Sequence, residues 1–511
     1  MTNRATTRAT TRATTRATTD LTTRAATGVT TRATGRAATP RRRPAARPAP
    51  AALVLALAGL LASAGCSGGA STGSPAAGAV TAVPAALSPS ASGPTPTATL
   101  LSPSPTGGSS SPGAVASPTA LPLTPDVTSR LDAAIQRVLT EASVPGVIVG
   151  LSTPQGEYLK AFGVSDKVAG TAMVTGLNMR IGSETKTFTV TALLRLVDQG
   201  KVGLDDPVGK YLTGVPNGGS ITLRQLADMR SGLFPYTQDE DFVTALQADP
   251  QRQFTPDQLL AYAFDHPVNF APGAEFEYSN TNTVLLGQVI EKVGARPLGD
   301  FLKKEVFDPA DLGRTVFPTT NAFPQPHARG YTDQTADGKV TDATDWNPSW
   351  GWAAGAMISD QADMRKWAKV LATGTLLSPQ TQAQRLQPQP SAAPDTWYGL
   401  GVFYNHGWIG HNGSLPGYQT VVVYLPSAQA SLVVLLNTDI TFRGSAPSTL
   451  FAKAITQVVS PGNVYDLPSA PAGGEEPTAS GSASPSASAS TSASASASVS
   501  TSVTPPAPSQ A

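Results

Sequence analysis

Hydrophobic positions keep a helical or strand period only between about residues 124 and 466 of the 511. From Pro125 to about Ser143, Leu131, Ile135, Val138 and Leu139 hold the spacing of one helical face. Two strand patterns follow, Val147 to Leu151 and Tyr158 to Phe162. After Arg180-Ile181-Gly182-Ser183 the spacing predicts a strong helix to about Asp198, with Val190, Leu193, Leu194 and Val197 on its apolar face. Helical patterns without strands fill 222–307. One of them opens at Tyr278-Ser279-Asn280 and turns Leu286, Val289, Ile290 and Val293 inward. Strand patterns return at Gly399 to Tyr404, Tyr418 to Leu425 and Ala430 to Leu436, and a closing helix is expected near 447–459. Strands from both ends of the body around a helical insertion predict an α/β fold. Its parts are a mixed lobe with an antiparallel sheet and an all-helical lobe, with a cleft at their junction. The body is also larger than a single core usually grows, which favours two lobes.

Composition changes sharply outside this body. Residues 1–50 hold eleven Arg, no Lys and one Asp, a net +10, with Arg-Ala-Thr-Thr repeated from Arg4 to Arg16. β-Branched Thr and stacked like charges oppose a helix there, so disorder is expected. Arg41, Arg42, Arg43 and Arg47 precede an apolar run from Ala51 to Ala62, too short for the ~20 residues that span a bilayer. Basic flank, short apolar run and Ser63-Ala64-Gly65 describe a secretory signal over residues 1–65. The single Cys of the chain, Cys66, follows at once. This resembles the lipobox of bacterial lipoproteins, whose Cys becomes the lipidated first residue. The family prefers Leu three places earlier, where this chain has Ser63. The alternative is an ordinary signal cut near Ala64. Residues 66–123 form an uncharged Ser/Thr/Pro/Ala linker that would span about 40 Å as a flexible chain. The tail 467–511 is rich in Ser-Ala repeats, and both stretches are too poor in apolar residues to offset ordering entropy.

Charge and cysteine count exclude several chemistries. The span 124–466 carries a net −7, against the clustered cations that a nucleic-acid binder needs. One Cys rules out an internal disulfide, and the four His (266, 327, 406, 411) lack the spacing of a zinc hydrolase. No metal or cofactor is therefore expected.

Three short motifs carry candidate chemistry. Ser183 and Lys186 lie three residues apart at the start of a helix, hence on one face. A Ser hydroxyl needs a base to become a nucleophile, and a desolvated Lys can serve. A helix N-cap Ser beside a surface Lys would look the same in sequence. Of twelve Lys, only Lys186 has Ser three places before it, and of eleven Tyr, only Tyr278 has Asn two places after it. A Tyr phenol can relay protons when a nearby cation lowers its pKa. The third motif, His411-Asn412-Gly413-Ser414, lies between late strands and, taken alone, reads as a glycine-rich turn.

Together the motifs resemble those of the penicillin-recognising serine hydrolases, the family of D-alanyl-D-alanine carboxypeptidases, class C β-lactamases and related esterases. Its S-x-x-K, Y-x-N and K/H-x-G elements match Ser183-Glu184-Thr185-Lys186, Tyr278-Ser279-Asn280 and His411-Asn412-Gly413. Arg180 to Leu212, Ser231-Gly232-Leu233, Ala354 to Ser359 and Tyr398-Gly399-Leu400-Gly401 also look like family segments, so the likeness covers about 124–460. The resemblance implies a β-lactamase/transpeptidase-like fold and an acyl-enzyme on Ser183. It implies proton transfer shared by Lys186 and Tyr278, and Asn280 positioning Lys186 and the substrate amide. The oxyanion hole would be the backbone N–H groups of Ser183 and Ser414, and His411 would supply a donor or partial positive charge. Asn412, Gly413, Trp350, Phe234 and Tyr236 are implied at the substrate.

One position departs from the family. The carboxypeptidase branch often carries Arg after Y-G-L-G to pair with a terminal carboxylate; here that place holds Phe403, and no Lys or Arg stands between Arg385 and Arg443. The primary expectation is a penicillin-binding D-Ala-D-Ala carboxypeptidase-like enzyme of the cell envelope. It would be secreted and held to the membrane through Cys66, or free if not lipidated. Its partner would be a small molecule or peptide: a peptidoglycan stem peptide, a β-lactam or an ester. The alternatives are an esterase or β-lactamase on the same residues, and a non-catalytic, lipid-tethered wall-binding protein.

Overall fold

The computed structural model describes residues 121–391 and 396–467. The basic lead, the signal, Cys66, the linker up to residue 120 and the Ser/Ala tail beyond Leu467 lie outside the described residues.

The helices form where capping and apolar spacing agree. Helix α1 (Pro125–Glu141) starts with Thr124 accepting from Val127 N at 3.3 Å, Pro125 in its first turn, and Asp126 at its positive end. Strand β1 (Gly146–Thr153) and strand β2 (Gly156–Asp166) form a hairpin, and β3 (Thr171–Ala172) extends it. A short strand, β4 (Met179–Arg180), leads into a 3₁₀ turn at Gly182–Glu184 and then α2 (Thr185–Asp198). The helical lobe follows: α3 (Leu223–Ala227), α4 (Glu240–Ala248), α5 (Pro256–Phe264), α6 (Asn280–Gly294) and α7 (Leu298–Leu302). Next come the small ladder β5 (Tyr331–Thr332) with β6 (Thr341–Asp342), and α8 (Trp352–Gly355). Then β7 (Ile358–Ser359) pairs with β4. Helices α9 (Gln361–Thr373) and α10 (Pro379–Arg385) bring the chain back to the sheet. The remaining strands are β8 (Gln389–Pro390), β9 (Thr396–Tyr398), β10 (Phe403–Asn405), β11 (Trp408–Leu415), β12 (Tyr418–Leu425) and β13 (Ala430–Leu436). Helix α11 (Pro447–Val459) closes the body.

Among the described residues the main sheet has nine strands in the order β3-β2-β1-β13-β12-β11-β10-β9-β8, and each of its pairings is antiparallel. The first and last parts of the body meet where β1 pairs with β13, Val149 opposite Val434. Side-chain alternation then divides the core in two. Val147, Val149, Val421, Val423, Leu432 and Val434 face α1 and α11, while Ile148, Val422, Val433 and Leu435 join the cluster containing α2, α6 and α9. Helices cover both faces, so every residue of β12 and β13 is buried. The packed body also takes in Leu121 and Leu467, which the sequence placed in the linker and the tail; both are buried beside α1 and α11.

The expected architecture, an antiparallel α/β lobe with a helical insertion, is the one observed. Two local expectations are revised. The pattern from Gly399 to Tyr404 is not one strand: Gly399 N donates to Val402 O at 2.8 Å, and this turn joins β9 to β10. The His-Asn-Gly segment is not a turn but the interior of β11, with His411 opposite Val422 and Gly413 opposite Thr420.

Candidate active site

The site is built where the 3₁₀ turn before α2, the start of α6 and β11 converge. Gly182 has φ +54°, a conformation that favours glycine, and a Cβ there would lie 2.7 Å from Ser414 N. A Cβ on Gly413 would lie 2.0 Å from the Ile181 carbonyl oxygen. Two glycines therefore let the turn that carries Ser183 press against β11. Thr420 Oγ1 fastens the contact by donating to Ile181 O at 3.1 Å.

Lys186 follows on the first turn of α2, on the face of Ser183. Its Nζ lies 3.0 Å from Ser183 Oγ and donates to Ala354 O at 2.8 Å. The side chain is fully buried, and burial holds the ammonium well below the ordinary lysine range. Tyr278, in the residues that lead into α6, places its ring centroid 4.8 Å from Nζ. The cation-lowered phenol that the sequence suggested is not what this site has. Burial pushes the Tyr278 phenol up, and the neighbouring Ser183 hydroxyl only partly offsets it. Burial therefore works against the charged form of both groups. The Tyr278 hydroxyl is buried without a hydrogen-bond partner. Such a group is costly in a folded protein and is a common feature of sites that await a ligand.

The other motif residues differ from expectation in their partners. Asn280 heads α6, and its Nδ2 donates to Thr237 Oγ1 at 3.4 Å. Both Lys186 contacts go elsewhere, so Asn280 is not its hydrogen-bond partner. His411 carries no positive charge at neutral pH: burial pushes its imidazole down to about 3. Its Nδ1 lies 2.5 Å from Asn412 O and its Nε2 3.2 Å from the Tyr398 hydroxyl. A carbonyl can only accept, so Nδ1 bears the proton and Nε2 accepts from Tyr398. The ring orders the wall instead of presenting a donor to the cleft.

The sequence profile described as Beta-lactamase matches residues 131–453, more than half of the chain. The chain belongs to the β-lactamase family. Members of this family are serine hydrolases. Solved structures with similar folds include a D-stereospecific amidohydrolase from Streptomyces sp., 30% identical, TM-score 0.59, covering 65% of this chain and 99% of that one. A D-amino acid amidase from Ochrobactrum anthropi SV3, solved with L-phenylalanine amide, is 27% identical, TM-score 0.57, over 65% and 96%. A penicillin-binding protein homologue from Pyrococcus abyssi is 26% identical, TM-score 0.56, over 65% and 76%. Curated relatives match at 26–27% identity over 54–62% of this chain, which spans 64–66% of their length, just under two thirds.

Within this β-lactamase-family fold the substrate-side residues divide into wall, rim and core. Phe403 is part of the wall: its ring lies 4.7 Å from His411, 4.7 Å from Tyr398 edge-on, and 6.2 Å from Tyr278 at an interplanar angle of 11°. Met229 and Phe276 complete this cluster. Phe234 is half-buried and stacks on His266 at 3.8 Å, and its carbonyl accepts from Thr281 beside Asn280. Two expected rim residues are core. Tyr236 is fully buried and donates to Trp350 O at 2.6 Å, while Trp350 packs into the large apolar cluster near Phe242. Asn412 is half-buried on β11 and Gly413 is buried beside it.

Sequence reasoning assigned no role to Ala354, Tyr398 or Thr237. Ala354 and Tyr398 stood in segments that resemble the family, but only the folded chain shows that one accepts from Lys186 and the other donates to His411. Thr237 had no sequence signal.

The close approach of β11 to the nucleophile turn gives a direct test. Gly413→Ala should push the two backbones apart and lower covalent labelling of Ser183 by ~10²-fold, the scale for a misplacement of about 1 Å. Labelling kinetics with a fluorescent penicillin measure it. Wild-type kinetics in this variant would show that the contact does not set the geometry.

Proposed function

We propose that this protein hydrolyses amides or esters through an acyl-enzyme on Ser183. The observation that carries the reading is a fully buried Lys186 amine 3.0 Å from Ser183 Oγ, where burial favours the neutral form. On this reading the amine takes the hydroxyl proton as Oγ attacks the carbonyl. Tyr278, across the same hydroxyl, gives its proton to the leaving group and is reprotonated by the Lys186 ammonium. Water then attacks the acyl-enzyme, with the same two groups returning the proton to Ser183. The Ser183 and Ser414 backbone N–H groups receive the oxyanion, a role in which one donor contributes ~3 kcal/mol. The placement of Gly182 against Ser414 N supports this assignment.

The substrate proposed is an acyl group without a free carboxylate beside the scissile bond, with the amide of a D-amino acid as the leading class. Two observations support it. Phe403 fills the expected Arg place and packs on Tyr278, and His411 is neutral. Similarity to a D-stereospecific amidohydrolase and a D-amino acid amidase points the same way. The second reading is the D-Ala-D-Ala carboxypeptidase, favoured by the envelope signals of the sequence. For the chain outside the described residues, the proposal remains an exported protein tethered through Cys66 by a linker over 66–123, with the hydrolase body at 124–466. The signal-like run before a lone Cys supports it.

A fluorescent penicillin should label Ser183, and Ser183→Ala should lose both label and turnover while its unfolding transition stays cooperative. Label on another residue would refute the nucleophile assignment. In the substrate test, a peptide ending in D-Ala-D-Ala and the same peptide amidated should differ in kcat/KM by no more than about tenfold, about 1.4 kcal/mol. A well-placed Arg would contribute ~2–3 kcal/mol to the free acid. A preference of ~10³ for the acid would establish the carboxypeptidase reading.

The pH dependence follows from the amine. Lys186 acts as a base only when neutral, so acylation falls as pH drops through a pKa that burial holds well below the ordinary lysine value. A rate still climbing tenfold per unit near the ordinary lysine value of ~10.4 would contradict this. His411→Gln should leave that acid limb in place, because the imidazole is neutral well above about 3.

A further inference from the structure

A buried guanidinium lies behind the nucleophile, outside the motif residues. Arg385, the last residue of α10, is 1% exposed, and among the described residues it has no carboxylate at ion-pair distance. A buried charge with no counter-ion in contact is costly; the buried acid Glu184 acts on Arg385 only through space, and the hydrogen bonds of the guanidinium go to α2. Its Nη2 donates to Thr187 O at 2.9 Å and to Thr191 Oγ1 at 2.8 Å, both on α2 one and two turns beyond Ser183. Its own carbonyl accepts from Leu400 N at 3.1 Å. Leu400 belongs to the turn that joins β9 to β10, and so joins Tyr398 to Phe403. A Cβ on Gly399 would lie 2.3 Å from Arg385 O, and one on Gly401 would lie 2.8 Å from Val190 of α2. Gly401 N donates to Ala227 O at 3.0 Å on the far side. Arg385 thus bonds at one end to the helix that carries Ser183 and Lys186, and at the other to the turn between two residues of the aromatic wall.

We propose that Arg385 is a positioning residue for acylation, fixing the distance between the Ser183–Lys186 pair and the Tyr398–Phe403 wall through Thr187, Thr191 and the 399–402 turn. This rests on Ser183 being the nucleophile. Lysine cannot replace the arrangement: its ammonium is a single point charge at the end of a flexible stem, whereas the guanidinium is a rigid fork. Thr191 also donates to Thr187 O at 2.6 Å, so the two acceptors form one unit. Trp367 Nε1 donates to Thr187 Oγ1 at 2.8 Å and its ring stacks on Phe188 at 3.9 Å. These contacts anchor α2 from α9 independently of Arg385, which is why its loss should shift the helix without releasing it.

The test uses the full chain and a fluorescent penicillin, reading three quantities: the labelled fraction at completion, the limiting acylation rate and the half-saturating concentration. Arg385→Lys should keep the labelled fraction, lower the limiting rate by ~10²-fold and change half-saturation by less than about threefold. Thr191→Val, a milder change that removes one acceptor, should lower the rate in the same direction by at least about threefold. It carries the test if Arg385→Lys does not fold. A merely structural Arg385 would lower the labelled fraction or the unfolding temperature and leave the rate per labelled site within about twofold of wild type, which overturns the proposal. Wild-type label on a residue other than Ser183 overturns the nucleophile reading and this one with it. Label on Ser183 with unchanged rates in both variants overturns this one alone.

Discussion

The site depends on keeping the amine of Lys186 out of water. An ammonium is strongly hydrated, and enclosing it favours the neutral form. The fold achieves this without a counter-charge: Ala354 O takes one proton, the Tyr278 ring lies over Nζ, and Ser183 occupies the remaining direction. A carboxylate in contact would have restored the ammonium and removed the base. The nearby acid, Glu184, is itself driven well above the ordinary carboxyl range by burial. Its Oε1 accepts from Thr187 Oγ1 at 3.1 Å. Burial thus disfavours charge on both Glu184 and Lys186 beside Ser183.

The sheet supplies the rigid side of the enclosure. Strands β12 and β13 are buried on both faces and hold β11 in register from one side, while β1 locks the other edge of β13. Across from the sheet, α2 and the helical lobe's α6 pack together in the same apolar cluster. Ser183 sits on the turn before α2, which meets β11 at Gly182 and Gly413. At these two glycines a side chain would collide with the main chain of the facing segment.

Long amphipathic elements were legible in the sequence, and the close contacts between them were not. The closing helix occupies 447–459 as its spacing indicated, and α2 ends at Asp198 where its apolar face ends. Strand β11 was hidden because Gly410, His411, Asn412, Gly413 and Ser414 have the composition of a turn. They form a strand because β12 pairs along their whole length, a tertiary effect that local propensity does not carry. Trp350 and Tyr236 look like cleft aromatics by type, yet whether an aromatic lines a cleft or fills a core is decided by what covers it. Arg385 had no motif at all; its meaning comes from an α10 carboxy-terminus that lands between α2 and the β9–β10 turn.

The aromatic wall bears on how the proposed substrate would be chosen. A cleft that recognises a carboxylate uses a fixed cation, and the discrimination then comes from charge. Here the side opposite Lys186 is made by Tyr398, Phe403 and a neutral His411, each satisfied by the others: Tyr398 donates to His411, and His411 donates to Asn412 O. A wall whose polar groups are already paired offers a substrate mainly shape and apolar surface. Selection among acyl groups would then rest on fit beside Phe403 and Tyr278, and charge at the leaving group would matter little. Such a site loses modest free energy for each methylene that fits badly, ~1–3 kcal/mol, and tolerates a range of leaving groups. On the proposed reading, Phe403 in place of a charged partner would shift that selection toward neutral leaving groups.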